Sequence, residues 1–261
     1  MARPVVILGY HVVALPHVFQ MKIPKRLRRT PLVDAVAEVR FTAAIPADAI
    51  LGIVYAAVKD PFGEPVSLPI LQMPLALRES DENLKYQSCY RFTKPGNVLL
   101  VGPHNVALST IPYTTWSATT PLLSDLLTRL DRLKLFHAVE RVSLRYINFF
   151  ENLNILAHST LALDINSESI ANQNIHLRSE ADAEGFQIIT SIANTVEVVV
   201  SGQSKKGSLL DLDIVKNKPD IKGTNVPGTI LEILTHANAL ADKAFFRLLK
   251  EDFIAQLEPE Y

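Results

Sequence analysis

Cysteine is nearly missing from this chain of 261 residues. Cys89 stands alone, so neither an internal disulfide nor a cysteine-rich zinc site can form. That usage fits a reducing interior, and a cytoplasmic protein is expected. Glycine is sparse as well, at 10 residues, which argues against a glycine-rich loop cradling phosphate. Walker loops, dinucleotide fingerprints, serine nucleophile elbows and zinc motifs are all absent from the sequence. An excess of one charge is missing too: 26 basic residues against 27 acidic ones give a formal charge of -1. No global field therefore draws the chain to nucleic acid or to an acidic membrane. The histidines at positions 11, 17, 104, 137, 158, 176 and 236 show no metal-binding interval. The apolar run Val5 to Phe19 is broken by Gly9, His11, Pro16 and His17, and it is shorter than the roughly 20 residues that span a bilayer. No metal, no cofactor and no membrane contact is expected.

What is present is the material of a core, with 48% hydrophobic residues. The stretch that organises the chain is Val139 to Phe150. It is rich in β-branched and aromatic residues and has no Gly or Pro. Val142, Leu144 and Tyr146 alternate in it with Arg141, Ser143 and Arg145, as an interior β-strand requires. Ahead of it, Ala37 to Phe41 reads as a strand and Ile50 to Val58 as a helix stopped by Pro61. Leu71 to Arg78, Lys85 to Thr93, Asn97 to Val101 and Asn105 to Ile111 read as a meander. A helix capped by Thr120, with Leu123, Leu126, Leu127, Leu130 and Leu133 on one face, closes this half. After the pivotal strand come Leu161 to Ile165, Asn174 to Arg178, Phe186 to Ala193, Val196 to Ser201 and Ser208 to Val215, with turns at Asn194-Thr195 and Gln203 to Gly207. A long helix from about Thr229 to about Leu257 ends the chain.

Each half thus reads strand, meander, closing helix. The openings also align by residue type, Glu38 to Ile50 against Ser143 to Ile155. The expected fold is α+β: two antiparallel β-meander sheets, each closed by a long helix, side by side as a tandem pseudo-dimer. Residues 1–30 form an N-terminal arm, 31–137 the first half and 138–261 the second. Met21 begins Met-Lys-Ile-Pro-Lys-Arg-Leu, a plausible start, so residues 1–20 read as an upstream stretch or a loose arm.

Several segments resemble a sporadically distributed, functionally uncharacterised family of bacterial and archaeal proteins. They are Pro31-Leu-x-x-Ala35 with Glu38-Val-Arg-Phe41, Tyr113-x-x-Trp116, Glu140-Arg-Val-x-Leu-Arg-Tyr-Ile-Asn148, Leu210-Asp-Leu-Asp213 and Thr235-His236. The similarity runs from about Met21 onward and is most specific at the Leu-Arg-Tyr-Ile-Asn string. It implies no activity. It does imply genes that move between genomes, beside defence or toxin-antitoxin loci.

Candidate chemistry gathers on alternate strand positions. Asp211 and Asp213 point to one side of their strand, where two carboxylates can hold Mg²⁺ or act as an acid-base pair, or simply line a polar sheet face. Arg40 and Arg145 are expected on the sheet surface away from the helices. If that face also carries Asp211 and Asp213, the four residues make a ligand site, or an internal ion-pair network. Tyr113 and Trp116 either stack on a ligand or staple a helix start to the core. No catalytic residue is assigned. Two functions follow: a non-enzymatic protein-binding or regulatory module with a protein partner, and alternatively a metal-dependent enzyme acting on a nucleotide or phosphate ester. Nucleic acid has one route only, through Lys22, Lys25, Arg26, Arg28 and Arg29.

Overall fold

The computed structural model describes residues 22–200, 203–221 and 224–261. The expectations for residues 1–20 and for a start at Met21 lie outside the described residues. Nine strands build the main sheet: β1 (Leu32–Thr42), β2 (Val66–Ser67), β3 (Tyr90–Lys94), β4 (Asn97–Val101), β5 (Asn105–Thr110), β6 (Ala138–Glu151), β7 (His176–Ala183), β8 (Phe186–Val200) and β9 (Gln203–Asn217). Three long helices, α1 (Ala47–Phe62), α2 (Trp116–Arg132) and α3 (Val226–Leu248), are followed by the short α4 (Glu251–Gln256).

The strands lie in the order β7-β8-β9-β6-β1-β5-β4-β3-β2, and every pairing is antiparallel. This corrects the expectation of two separate sheets. The opening strands β1 and β6 pair directly, with Val39 opposite Val142 and Ala37 opposite Leu144, so one continuous sheet crosses the boundary between the halves. The physical reason lies in their patterns. Each strand carries an unbroken apolar face and free ladder groups on both sides, and pairing the two removes two exposed edges at once.

The period-two pattern decides what each face meets. Ala35, Ala37, Val39 and Phe41 of β1, and Val142, Leu144 and Tyr146 of β6, are buried under the helices together with Leu123, Leu127 and Leu130 of α2 and Ile230, Leu234 and Ala241 of α3. Phe41 is fully buried and meets Phe136 edge-on at 5.6 Å. Burying a side chain of this size stabilises the fold by roughly 1.5–3 kcal/mol. A second core forms where Phe150, Ile155, Leu210 and Leu212 meet Phe245, Phe246 and Phe253. Ile50 and Ile155, at matching places in the two openings, are both fully buried, but only the first begins a long helix; Ile155–His158 is a single 3₁₀ turn.

Several local expectations are corrected. Leu71 to Arg78 is not a strand: Pro69–Gln72 is a 3₁₀ turn and Leu75–Ser80 a short helix. The strand expected from Lys85 begins only at Tyr90, because Asp81 accepts from the amides of Asn83 and Leu84 and starts a helical turn, Glu82–Lys85. Pro61 lies inside α1, not beyond it. The Ala57 carbonyl that Pro61 cannot serve is met by Arg129 Nη1 at 3.4 Å, and the helix ends at Gly63, whose φ is 73°. In the second half, Leu161 to Ile165 shrinks to Asp164–Ile165 within a small hairpin, and His176–Ala183 replaces the strand expected at Asn174 to Arg178. Asn194-Thr195 is a bulge within β8 and not a turn. The Asn194 side chain accepts from the Ile175 amide at 2.8 Å and donates to the Gln173 carbonyl at 2.7 Å. Gln203 to Gly207 is the start of β9, paired with Val196–Val200. The last helix breaks at Leu249, since Leu248 gives its carbonyl to the Thr160 amide and Lys250 its amide to the His158 carbonyl.

Helix α2 begins five residues earlier than expected. Thr115 caps it, its hydroxyl accepting from the Ala118 amide at 3.2 Å, whereas the Thr120 hydroxyl donates back to the Trp116 carbonyl. Thr115→Ala is therefore expected to cost about 1 kcal/mol and Thr120→Ala much less. Urea titration of the two variants checks this ordering.

Candidate functional site

Helices α1, α2, α3 and α4 pack on one face of the sheet, and the other face is polar where β1, β6, β9, β8 and β7 run side by side. On β1 the alternation sends Glu38 and Arg40 outward, and on β6 it sends Arg141 and Arg145. On β9, Asp211 and Asp213 share this side because each lies opposite an outward residue of β6, Ile147 and Arg145 respectively. Arg178 of β7 lies opposite Ser191 of β8 and joins them. Together Arg40, Arg141, Arg145, Arg178, Asp211 and Asp213 line one concave cavity of about 430 Å³. The four residues expected from sequence, Arg40, Arg145, Asp211 and Asp213, are thus brought together.

The charges are paired in a connected chain. Arg145 clasps Asp211, its Nε donating to Oδ1 at 2.8 Å and its Nη2 to Oδ2 at 2.5 Å. Arg141 Nη2 donates to Asp213 Oδ2 at 2.7 Å. Both arginines reach past the residue directly opposite, leaning along the strand as extended side chains do. Arg40 and Arg141 face each other across the β1-β6 ladder, a like-charge opposition that would destabilise it. Glu38 offsets the repulsion: its Oε2 accepts from Arg40 Nε at 3.0 Å and from Arg141 Nη1 at 3.4 Å. The far side of Arg40 lies over the Tyr86 ring at 4.7 Å, and the Tyr86 hydroxyl donates to Glu140. At the opposite end Arg178 pairs with Glu180, which also accepts from Gln187.

Burial is the main force on the Asp213 carboxyl and pushes its pKa up, against the pull of Arg141 and Arg145. Asp213 Oδ1 and Arg141 Nε are buried without a hydrogen-bond partner. Asp34, beside this strip on β1, is likewise raised by burial although Ser109 donates to it at 2.7 Å. Glu140 behaves oppositely. Burial raises its pKa, but the bonds from Thr42 and Tyr86, with help from Lys85, outweigh burial and hold the carboxyl below its ordinary range.

Sequence reasoning missed Arg141, Arg178 and Glu38 as members of this cluster. Arg141 shares a face with Arg145 by simple alternation, and that signal was available. Arg178 joins because β7 forms a hairpin with β8 through the Glu184-Gly185 turn, which sets it at the edge of the strip that β9 and β6 complete. Tyr113 and Trp116 turn inward. The Tyr113 hydroxyl bonds that of Tyr146 at 3.1 Å and Trp116 Nε1 donates to Thr235 at 3.3 Å, so both tie the start of α2 to the core. His236 bonds Glu184 at 2.6 Å on the helix surface. Among the described residues, no three His, Cys, Asp or Glu side chains gather as metal ligands.

The basic stretch at Lys22 to Arg29 is stitched to the chain's other end. Arg26–Leu27 pairs with Pro259–Glu260, Arg28 bonds Glu260 at 2.6 Å, Arg29 bonds Glu258 at 3.0 Å, and Lys22 lies over Tyr261. Arg28 and Arg29 are thus each paired with an acid of the opposite end.

Fold and site define an α+β protein with one large antiparallel sheet, long helices on one face and a charge-paired cavity on the other. No protein-family model and no curated protein matches the chain. Among the described residues, no helix is long and apolar enough to cross a membrane.

Proposed function

We propose that the chain is a non-enzymatic regulatory module that receives a ligand on its uncovered sheet face and acts by binding, with a protein partner as its reader. The observation that carries this reading is the convergence of Arg40, Arg141, Arg145, Arg178, Asp211 and Asp213 on one cavity whose lining, among the described residues, contains no histidine, cysteine, lysine or tyrosine. Ser191 is the hydroxyl residue of that lining among the described residues, and Asp211, the carboxylate opposite it on β9, has both oxygens taken up by Arg145. A cavity of this size suits a small molecule, and a lining of paired charges suits recognition better than proton transfer. A link to mobile defence or toxin-antitoxin loci belongs to the same proposal, supported by the resemblance drawn from the Leu-Arg-Tyr-Ile-Asn string.

The alternative, a metal-dependent enzyme acting on a nucleotide or phosphate ester, asks Asp211 and Asp213 to hold the ion. Arg145 already occupies both oxygens of Asp211 and Arg141 occupies one of Asp213, which leaves the pair poorly placed for it. We also propose that the two halves are duplicates forming an internal pseudo-dimer. The order β1-β5-β4-β3 on one side of the β1-β6 seam and β6-β9-β8-β7 on the other supports it.

A thermal-shift screen of small metabolites of every charge class tests the binding reading, using the whole chain and an Arg145→Gln variant. At least one compound is expected to raise the melting temperature of the parent and leave the variant unmoved. A screen in which no compound separates the two proteins removes the cavity as a ligand site.

A further inference from the structure

We propose that the cavity selects a small polyanion, a molecule carrying phosphate or carboxylate groups, and that Arg40, Arg145 and Arg178 bind it. The inference rests on the reading of this face as a ligand site and names what the site accepts. By formal count the face is nearly balanced, so net charge does not decide the matter. Which of the charges that line the cavity reach solvent does. The side chains of Arg145, Arg178 and Arg40 are 50%, 55% and 28% exposed, while those of Asp211, Asp213 and Glu38 are 11%, 19% and 17% exposed. Asp211, Asp213 and Glu38 form the floor together with Arg141, and Arg145, Arg178 and the less exposed Arg40 form the rim, where Glu180 also stands.

Hydrogen-bonding capacity divides the same way. Asp211 uses both oxygens on Arg145, Glu38 serves Arg40 and Arg141 through one oxygen, and the remaining oxygen of Asp213 is closed off from solvent. On the rim, Arg145 engages Nε and Nη2 and Arg178 does the same with Glu180, which leaves Nη1 of each without a partner among the described residues. Arg40 engages only Nε, leaving both Nη groups. Arg145 and Arg40 are each held along one edge by a largely buried carboxylate, which orients them before any ligand arrives, while Arg178 is held by the exposed Glu180. A ligand rich in acceptor oxygens completes these donors, and phosphate or carboxylate does so with charge-assisted bonds. The apolar strip of Ile189 and Val215 within the same lining leaves room for an uncharged portion of the molecule. Glu180 is an exposed acid at the rim, 47% accessible, and it opposes the ligand's approach.

Isothermal calorimetry of the full chain with pyrophosphate and citrate as probes, and with spermidine and sucrose as controls, tests the assignment. Binding of either anion is expected, weakened at least about tenfold in Arg145→Gln and in Arg178→Gln and tightened in Glu180→Gln. Arg145 and Arg178 are half exposed, so the variants should fold, and circular dichroism verifies it. Pyrophosphate binding alone marks a phosphate ligand and citrate alone a carboxylate, and both support the proposal. Silence from both anions up to about 10 mM overturns it, as does binding that the arginine variants do not weaken. Should spermidine or sucrose bind in an Arg145-dependent manner while the anions do not, the anion assignment falls and the cavity survives as a ligand site. If the metabolite screen is also silent, both readings fall.

Discussion

Asp242→Asn is expected to stabilise the protein at pH 8 by about 3 kcal/mol and to leave it nearly unchanged at pH 4. Asp242 lies on α3 where the helix covers the sheet, close to the buried phenols of Tyr113 and Tyr146, both of which it pushes further up in pKa. The Tyr146 hydroxyl donates to Asn238 at 2.6 Å, and Asn238 reaches Asp242 only at 3.5 Å. Burial alone pushes the Asp242 carboxyl up from 3.8 to about 6. The folded state therefore holds the proton more tightly than the unfolded chain does. That preference is fully present below pH 3.8 and is lost as pH rises through 6, so the ionised carboxylate is a burden at neutral pH and above. Asparagine keeps the shape and an acceptor and removes the charge. Thermal unfolding across pH 4 to 8 should show the parent losing stability on a limb that the variant lacks, with a melting difference of roughly 6–12 °C at the upper end. Parallel curves for the two proteins would contradict the assignment.

The second large effect is on the ion-pair chain. Arg141→Ala is expected to cost about 3 kcal/mol, because it takes from the largely buried Asp213 its hydrogen-bonded guanidinium and leaves the largely buried Glu38 with Arg40 alone. Arg178→Ala removes an equally short contact to Glu180, but both partners are about half exposed and screened by water, so its cost should stay below about 1 kcal/mol. The double variant Arg141→Leu with Asp213→Leu should recover most of the loss, since Glu38 keeps Arg40. Denaturant titration of the four proteins checks the ordering. Equal costs for the two single substitutions would mean that burial does not control the strength of these pairs.

These expectations depend on how far the chain announces its own structure. The alternation in Val139 to Phe150 and in Ala37 to Phe41 was readable because a half-buried strand must repeat every two residues. The same rule placed Arg40 and Arg145 on the face away from the helices, and Asp211 with Asp213 on one side of their strand. Wherever side chains competed for backbone groups, reading by pattern failed. Asn194 turned an expected turn into a bulge by taking the Gln173 carbonyl and Ile175 amide. Asp81 turned an expected link into a helical start. The His158–Thr160 segment cut the last helix by capturing its backbone at Leu248 and Lys250.

By itself, then, the amino-acid order determined which residues are strand-like, which face of each strand is apolar, and that arginines and aspartates would be left over on the polar side. These are properties of periodicity, and periodicity is local. The merging of the two halves through β1 and β6, the pairing of Arg145 with Asp211 in place of the opposed Asp213, and the arrival of Arg178 at the rim were decided only when distant strands met. Ladder edges and long charged side chains choose partners by proximity in space, and separation along the chain carries no record of that choice.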